Sequence, residues 1–245
     1  MSVKIELKES AVNRLAKSLA PTTFPPQDSF DQSDSLFDRM PWLYAFYRER
    51  VFRDDTNRIV GAFWPNSRPA HGTTVLELGC GPGFYSRRLA ARFPEISITG
   101  VDRSQSQLQC ARLRAQKQGL HNCSFEHVNA QQIRSEDGCF DVLVASRLFT
   151  VLPQPETVIG EMFRVLRPGG RCFVAEPRYA LWASIPLIAM WLLAAVILSE
   201  NRYREPRKAT VFTKSAFQKL FSSQPWKKVE IWQDGRYQYA ICEKS

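Results

Sequence analysis

A glycine-rich loop carries the clearest chemical signal in the sequence. Residues 75–89 read VLELGCGPGFYSRRL, so an apolar strand runs into three closely spaced glycines, Gly79, Gly81 and Gly83, and a helix follows. Such a turn lets the backbone approach a ligand closely and points amide hydrogens at it from a helix N-terminus. Asp102 ends the next apolar strand, where a carboxylate holds ribose hydroxyls in a doubly wound fold. The loop therefore predicts a cofactor that contains a ribose.

Two cofactor classes compete for this loop. The dinucleotide fingerprint is GxGxxG, and counted from Gly79 its third glycine would fall at Phe84. The spacing is GxGxG instead, and Glu77 stands two residues before the first glycine, which is out of place in a typical NAD fingerprint. On these residues the chain resembles the class I S-adenosylmethionine (SAM)-dependent methyltransferases, whose first motif is an acidic residue, one further residue and GxGxG.

The resemblance extends beyond the first motif. Asp102 matches the acidic residue of the second motif, and residues 128–131 (VNAQ) stand where the family usually has Gly-Asp-Ala. Residues 166–170 (LRPGG) match the turn before the fifth strand, and two extended runs around Asp234-Gly235 match the C-terminal hairpin. The chain looks most like the small-molecule and quinone methyltransferases of ubiquinone and menaquinone synthesis.

The resemblance implies a role for each matching residue. The glycines would wrap the methionine part of SAM, and Glu77 would sit under them. Asp102 would accept hydrogen bonds from the ribose hydroxyls, and Arg103 would lie against the adenine. Asn129 would accept a hydrogen bond from the adenine amino group through its uncharged side-chain carbonyl. The implied cofactor-binding residues are Glu77, Gly79, Cys80, Gly81, Gly83, Asp102, Arg103, Asn129, Ala130, Gln131 and Ser146.

Three further residues are the candidate catalytic groups, Arg147, Glu176 and Tyr47. Methyl transfer from SAM is an in-line displacement, so positioning can supply most of the acceleration. Arg147 follows the fourth strand and would clamp an anionic group or pair with an acid. Glu176 ends the fifth strand and would steer an amine, accept a hydroxyl proton or form a structural ion pair. Tyr47, together with Tyr44, would close over the acceptor from an N-terminal cap.

The pattern of elements predicts an α/β fold. Over residues 71–245 short apolar runs alternate with helical segments, which favours a Rossmann-like, seven-stranded, mostly parallel sheet with an antiparallel C-terminal hairpin and helices on both faces. Residues 1–70 predict a helical cap, with a helix near residues 3–20 and one or two aromatic-rich helices over residues 36–63. The six cysteines and three histidines show no zinc spacing, so no metal site is expected.

An apolar run lies within a predicted insert at about residues 178–211. From Leu181 to Leu198 the sequence reads LWASIPLIAMWLLAAVIL, and four basic residues follow between Arg202 and Lys208. The run is a buried helix, a lid over a lipophilic acceptor, or an element that dips into a membrane, where the basic residues would meet anionic headgroups. A transmembrane pass is not expected, because it would separate the final helix and hairpin from their sheet.

These features predict SAM-dependent methyl transfer to a small, lipophilic or membrane-associated acceptor. The composition, 44% hydrophobic and 23% charged, excludes collagen-like, wholly disordered and multi-pass membrane chains. The net charge of +9 keeps an RNA methyltransferase as an alternative, and a catalytically silent SAM-fold scaffold is a second. No signal peptide is visible, so a cytoplasmic protein, peripheral on the membrane, is expected. The sequence does not determine the acceptor, the methylated atom, a general base or the oligomeric state.

Overall fold

The computed structural model describes residues 41–65, 68–180 and 211–245, together with 184 and 188. The strands are β1 (Thr74–Leu78), β2 (Ser97–Asp102), β3 (Cys123–His127), β4 (Phe140–Ser146), β5 (Leu166–Pro177), β6 (Trp226–Asp234) and β7 (Tyr237–Lys244). The helices are α1 (Pro41–Arg50), α2 (Thr56–Phe63), α3 (Phe84–Arg92), α4 (Gln105–Lys117), α5 (Pro155–Val165) and α6 (Lys214–Phe221), with a 3-10 turn at Phe149–Val151. The predicted alternation of strands and helices is confirmed within these residues.

The strands form one seven-stranded sheet in the order β3-β2-β1-β4-β5-β7-β6. β1 to β5 run parallel, and β7 is antiparallel to both of its neighbours, β5 and β6. The winding reverses between β1 and β4, since β2 and β3 lie on one side of this pair and β5 lies on the other. In open α/β sheets ligands bind beside the C-terminal ends of strands at such a reversal. The predicted fold class is confirmed, and the reversal directs attention to the ends of β1 and β4.

Residues 167–170 belong to a strand, whereas the sequence predicts a turn that precedes one. β5 begins at Leu166, which pairs with Phe140, and the ladder resumes only where Arg171 pairs with Val142. The residues between them leave the ladder, and Gly169 adopts a left-handed φ of 73°. The Pro-Gly-Gly sequence therefore makes a bulge inside β5, because extra residues on one strand can bow out while the pairing continues on both sides.

Apolar side chains pack on both faces of the sheet. On one face Val174 packs in a buried cluster with Phe217 of α6, and on the other Phe173 packs in a cluster with Phe63 of α2. All four side chains are essentially inaccessible to solvent. The central strands are apolar throughout because both of their faces are covered.

Helix α1 is attached to the elements that flank the glycine loop. The Arg48 guanidinium lies 3.8 Å from the ring centroid of Phe84 and 4.6 Å from that of Tyr85, both at the start of α3. Glu49 of α1 also forms an ion pair with Arg87 of α3. The aromatic-rich region predicted as one or two helices is thus two helices, and the first one reaches the loop.

Several sequence predictions lie outside the described residues. These are the helix near residues 3–20, nearly all of the apolar run from Leu181 to Leu198, and the basic residues from Arg202 to Lys208. Ser184 and Ile188 are described as helical, and Ile188 is exposed. Within the described part of the chain, no helix has the length and apolar character needed to span a bilayer. The division into a cap (residues 1–70) and a catalytic domain (residues 71–245) stays a prediction.

Candidate active site

The glycine loop joins β1 to α3 at the C-terminal edge of the sheet. Gly79, Gly81 and Gly83 have φ values of 64°, 51° and 71°, in the left-handed region where a side chain is strained. The loop is closed by a hydrogen bond of 2.9 Å from the Gly83 amide to the Cys80 carbonyl. Gly83 also precedes the first residue of α3. The spacing of the glycines therefore follows the backbone conformation that the turn requires.

Neighbouring side chains leave no room for substituents on the loop. A Cβ on Gly83 would lie 2.6 Å from Cε1 of Phe125, and one on Gly81 would lie 3.2 Å from Cε1 of Tyr44. A Cβ on Gly79 would lie 2.9 Å from Cδ1 of Leu148. The loop is thus held between β3, α1 and the segment after β4.

Glu77 holds the start of α3 rather than facing the crevice. Its carboxylate accepts a hydrogen bond of 2.7 Å from the Ser86 amide and a second from the Ser86 hydroxyl. The side chain is buried, and burial raises the pKa of its carboxyl, while the bonds from Ser86 oppose the shift. An acceptor at this place satisfies an amide in the first turn of a helix, which otherwise has no partner within the helix. Glu77 thus lies under the loop, as the sequence predicts, and fixes it from below.

Asp102 lies at the end of β2, directly across from the loop. Its Oδ2 accepts a hydrogen bond of 2.8 Å from the Gly81 amide, and its Oδ1 accepts one of 2.9 Å from the Ser104 amide. Both carboxylate oxygens therefore accept hydrogen bonds from backbone amides. The carboxylate is therefore oriented by the backbone before any ligand binds.

The segment after β3 runs beside Asp102. The Val128 amide donates to the Asp102 carbonyl at 3.1 Å, and Asn129 follows at once. Asn129 Oδ1 accepts a hydrogen bond of 3.0 Å from the Gln131 amide, so part of its capacity stabilises its own turn. Ala130 is buried and Gln131 is half-buried. These three residues are adjacent to the ribose-side carboxylate, as the resemblance implies.

Three other predicted cofactor residues occupy different positions around the crevice. The Cys80 side chain is buried in a core cluster with Leu108 and Phe125, so only its backbone borders the loop. Arg103 is exposed, and its carbonyl lies 2.9 Å from Nε2 of His127. Ser146 ends β4, where its side chain is hydrogen bonded to Tyr85.

A row of aromatic rings, linked in part through the Arg147 guanidinium, leads away from the glycine loop. Tyr44 of α1 covers Gly81 and makes an edge-to-face contact with Phe52, with centroids 6.1 Å apart. Phe52 lies under the guanidinium of Arg147, 3.9 Å from its centroid, and the Arg147 Nη1 donates a hydrogen bond of 2.8 Å to the Tyr237 hydroxyl. We call Tyr44, Phe52 and Tyr237 the aromatic wall. Burial raises the pKa of Tyr44, and the charges of Arg147 and nearby Asp102 act on it in opposite directions.

Arg147 has the one left-handed backbone among the described non-glycine residues, with a φ of 58°. Its amide donates to the Ala175 carbonyl at 2.8 Å, which holds the turn against β5. In the described ranges no carboxylate lies within ion-pair distance of its guanidinium. Within the described residues, the structure therefore gives no support to the alternative that Arg147 forms an ion pair with an acidic residue. A stacked arginine with spare donors is suited to hold an oxygen atom of a ligand.

Glu176 is fully buried at the end of β5 and is anchored by backbone amides. Its Oε1 accepts hydrogen bonds of 2.7 Å from the Leu148 amide and 2.9 Å from the Phe149 amide. Its Oε2 is buried and has no hydrogen-bond partner. Burial raises the pKa of the carboxyl to about 7, and the two amides and Arg147 oppose the shift. The predicted structural ion pair is therefore not what holds Glu176.

Of the two cap tyrosines expected to close over the acceptor, Tyr44 is the one that lies against the glycine loop. The ring of Tyr47, the one named among the candidate catalytic groups, packs edge-to-face on the exposed Phe46, and no described contact brings it to the glycine loop. Sequence reasoning also missed Phe52 and Tyr237, for which aromatic character was the only signal.

The groups at the C-terminal ends of β1, β2 and β3 fit the cofactor that the resemblance implies. They are a turn of three glycines without side chains of their own, an oriented carboxylate at Asp102, and a polar turn at Asn129. A nucleoside needs such a carboxylate for its ribose hydroxyls and backbone or amide groups for its base. The described residues are therefore consistent with SAM as the ligand.

Comparison with known proteins leads to the same class. Residues 69–234 match the profile of a family described as a methyltransferase domain. The chain is 27% identical over 184 residues to the demethylmenaquinone methyltransferase of Listeria welshimeri, covering 74% of this chain and 69% of that protein. It is 34% identical over 119 residues to the ubiquinone biosynthesis O-methyltransferase of Pseudomonas paraeruginosa. That match covers 46% of this chain and 50% of that protein.

Among solved structures the fold resembles a phosphoethanolamine N-methyltransferase of Haemonchus contortus bound to S-adenosylhomocysteine. The TM-score is 0.64 with 12% identity, and the match covers 85% of this chain and 59% of that one. At this identity the likeness shows a shared fold.

Proposed function

This chain belongs to the methyltransferase-domain family and is a SAM-dependent methyltransferase, and we propose that it methylates a small lipophilic acceptor at the C-terminal ends of β4 and β5. SAM, when bound, supplies a methyl group that its sulfonium makes electrophilic. The chain then needs to bind the acceptor, orient one of its atoms and exclude water, which positioning residues can do without an elaborate catalytic group.

On the cofactor side the proposed roles follow the contacts around the glycine loop. Asp102 receives the ribose hydroxyls, and Asn129, Ala130, Gln131 and Arg103 surround the base. Gly79, Gly81 and Gly83, with the Cys80 backbone, border the amino-acid end, and the Ser146 carbonyl faces the amino group. Glu77 acts indirectly, because it holds the first turn of α3.

The aromatic wall is the observation that carries the acceptor proposal. It runs from Gly81 through Tyr44 and Phe52 to Tyr237, with the Arg147 guanidinium stacked on it. Flat apolar rings beside a cation suit a planar, apolar ligand that bears an electron-rich oxygen. The curated relatives are named for quinones, which have this character, and they support an acceptor of the demethylmenaquinone type.

Arg147 and Glu176 are the proposed acceptor-orienting groups. Arg147 has guanidinium donors beyond the one used by Tyr237, and they can hold an acceptor oxygen. Glu176 has a buried oxygen, Oε2, that can accept a proton from a hydroxyl or steer an amine. Both lie at the edge of the sheet where the winding reverses.

A labelled-methyl assay tests this function. Purified protein is incubated with tritiated methyl-SAM and one of three substrates: a total membrane lipid extract, a prenylated demethylnaphthoquinol, or total RNA. We expect label in the lipid extract and in the prenylated compound. Label in RNA alone would instead support the RNA alternative, and no transfer to any substrate would overturn the proposal.

A matched pair of variants tests the role of Arg147. Arg147→Lys keeps the charge but loses the planar stacking on Phe52, so kcat/KM for the acceptor should fall about tenfold or more, since one charge-assisted contact is lost. Arg134→Lys, at an exposed position, is the control and should leave kcat/KM unchanged. SAM affinity should stay within about twofold in both, because neither side chain is proposed to touch SAM.

Peripheral membrane contact is the second part of the proposal. Trp42 and Phe46, one turn apart on α1, are 58% and 53% exposed, and Tyr179 and Ile188 at the start of the insert are also exposed. The apolar run and the basic residues that follow it in the sequence suit an interfacial segment facing anionic lipid.

Liposome flotation tests the contact. The double variant Trp42→Glu/Phe46→Glu and the single variant Trp191→Glu should each reduce flotation with vesicles rich in phosphatidylglycerol. Leu113→Glu is the control, because Leu113 is an exposed apolar residue on α4, and it should float like the wild type. Negligible flotation of the wild type would remove the membrane part and leave the methyltransferase assignment intact.

A further inference from the structure

Two buried polar residues lie opposite each other on β5 and β7, at the end of the sheet where the methyl acceptor is proposed to bind. Glu176 and Gln238 are direct partners in the antiparallel ladder, and the side chains of both are fully buried. The pairs before them on the same face are apolar or weakly polar, Cys172 with Cys242 and Val174 with Ala240. The last pair on this face therefore breaks an apolar pattern where the strands reach the site.

Each of the two side chains is held by one end and has one unsatisfied oxygen. Glu176 Oε1 accepts from the Leu148 and Phe149 amides, while Oε2 has no partner. Gln238 Nε2 donates a hydrogen bond of 3.0 Å to the Phe212 carbonyl, while Oε1 has no partner. The bond to Phe212 fixes which end of the amide is the oxygen.

Two opposed acceptors without a donor are costly in a protein interior. An unpaired buried acceptor loses its hydration without recovering a hydrogen bond. Directly opposed residues of an antiparallel pair have Cβ atoms about 5 Å apart, so one donor between the side chains can reach both. The group that satisfies both oxygens must be a hydrogen-bond donor, which is either the proton of Glu176 itself or a group of a bound ligand.

The position of the pair indicates where that donor comes from. Pro177 follows Glu176, and the segment 178–211 leaves the sheet there, whereas Phe212, where the chain returns, binds Gln238. The pair thus lies between the two ends of the insert. On its other side Glu176 contacts the segment that carries Arg147. A group of the methyl acceptor bound at this end of β5 and β7 would meet both oxygens.

We propose that Glu176 and Gln238 form a two-acceptor site that binds a hydrogen-bond donor of the methyl acceptor, a hydroxyl or N–H group, and that Gln238 is a specificity-determining residue. The inference rests on the proposed function, which places the acceptor at this edge. A ligand that offers only carbonyl or ether oxygens leaves both acceptors unpaired and binds more weakly. The site therefore selects acceptors by a donor at the position of the pair.

Two probes that share a ring system, one with two hydroxyl donors and one with both hydroxyls methylated, test the site. 1,4-Dihydroxynaphthalene and 1,4-dimethoxynaphthalene share a ring system, and only the first can donate. Binding is measured by anaerobic titration calorimetry on protein saturated with S-adenosylhomocysteine, so that no methyl transfer occurs. The wild type should bind the dihydroxy compound at least about tenfold more tightly, since one buried hydrogen bond is gained.

Two variants reduce the preference in different ways. Gln238→Leu deletes one acceptor, and Glu176→Gln places an amide N–H₂ next to the Gln238 oxygen, which supplies the missing donor from within the protein. In Glu176→Gln the affinity ratio should fall to within about threefold of one, and in Gln238→Leu it should fall only part of the way because the Glu176 oxygen remains. S-adenosylhomocysteine affinity should stay within about twofold in both. Gln218→Leu on the exposed face of α6 is the control and should keep the wild-type ratio. If Gln238→Leu does not fold, Glu176→Gln alone still tests the site.

The outcomes separate this inference from the proposed function. Equal binding of both probes by the wild type, binding of neither, or an unchanged ratio in the two variants overturns the donor site and means that the pair shares the proton of Glu176. If the same preparation still transfers labelled methyl to the lipid extract, the proposed function stands. Loss of transfer to every small molecule would instead refute the proposed function.

Discussion

The Leu148 amide donates a hydrogen bond of 2.7 Å to Glu176, and the Leu148 side chain packs against Gly79. One residue after β4 therefore contacts both the buried carboxylate at the acceptor edge and the first glycine of the cofactor loop. Loss of the acceptor oxygen that Glu176 offers to Leu148 should consequently be felt at both sites. The following predictions start from this connection.

Removing the Glu176 side chain should destabilise the fold and weaken SAM binding. Glu176→Ala leaves the Leu148 and Phe149 amides without their acceptor, which costs about 2 kcal/mol of unfolding free energy. For a chain of this length that is a fall in Tm of about 5 °C. Differential scanning calorimetry measures the change, and Glu126→Ala, at an exposed position on β3, is the control. Equal Tm values for both variants would contradict the anchoring role.

The stability of the wild type should fall between about pH 5 and pH 7 because of Glu176. Burial raises the pKa of this carboxyl to about 7, against about 4.3 in an unfolded chain. The folded protein therefore binds the proton more tightly, and the unfolding free energy contributed by this group decreases as pH rises through that window and is lost above it. The difference between the two pKa values sets an upper limit of about 4 kcal/mol on this contribution.

Glu176→Gln removes this titration while keeping an acceptor for the Leu148 amide. Urea unfolding at pH 5 and pH 8 should show a larger loss in the wild type than in the variant. Arg147 is the charged group that acts on Glu176, and its positive charge opposes the shift. The same pH dependence in both proteins would mean that Glu176 is already ionised in the fold at pH 5.

Two glycines with similar backbones should respond differently to alanine. Gly83 and Gly119 have φ values of 71° and 65°, so both alanine variants carry left-handed strain of about 1 kcal/mol. At Gly83 the new Cβ also meets Phe125 at 2.6 Å, whereas nothing lies within 4 Å at Gly119. Overpacking adds about 1–3 kcal/mol, so chemical denaturation should show Gly83→Ala as clearly less stable. Equal losses would mean that the Phe125 ring moves freely.

Asp102→Asn should reduce SAM affinity about tenfold to a hundredfold. Both oxygens of the carboxylate accept from backbone amides, of Gly81 and Ser104, whereas an asparagine turns a donor toward one of these amides and offers no charge to the ribose hydroxyls. Titration calorimetry with SAM measures the loss. Asp137→Asn, at an exposed acid paired with Arg164, is the control and should bind SAM like the wild type. Unchanged affinity in Asp102→Asn would place the ribose elsewhere.

Local sequence signals were sufficient for the cofactor side of the molecule. The glycine loop, the strand that ends at Asp102 and the hairpin around Asp234-Gly235 each lie within a short stretch of chain. A left-handed turn requires glycine, and a buried parallel strand requires an apolar run, so residue type alone indicates both. The same local logic failed for residues 167–170, where Pro-Gly-Gly forms a bulge because the ladder with β4 continues on both sides.

The acceptor side was decided by contacts between distant segments. The sequence named Arg147 and Glu176, but not that Arg147 would stack on Phe52 or that Glu176 would bind the Leu148 amide. Nothing in the sequence indicated a role for Gln238. Because β7 is covered on both faces, its polar and apolar residues do not alternate in a way that marks a buried polar side chain. The choice of Tyr44 over Tyr47 depends on how α1 is rotated on the glycine loop.

The sequence by itself determined the class of fold, the conformation of the glycine loop and the carboxylate that ends β2, because each depends on conformational limits that a few adjacent residues impose. Only the tertiary structure decided which tyrosine covers the loop and which oxygens are buried without partners. Those properties arise from strand register and helix orientation, which depend on packing among residues far apart in the chain.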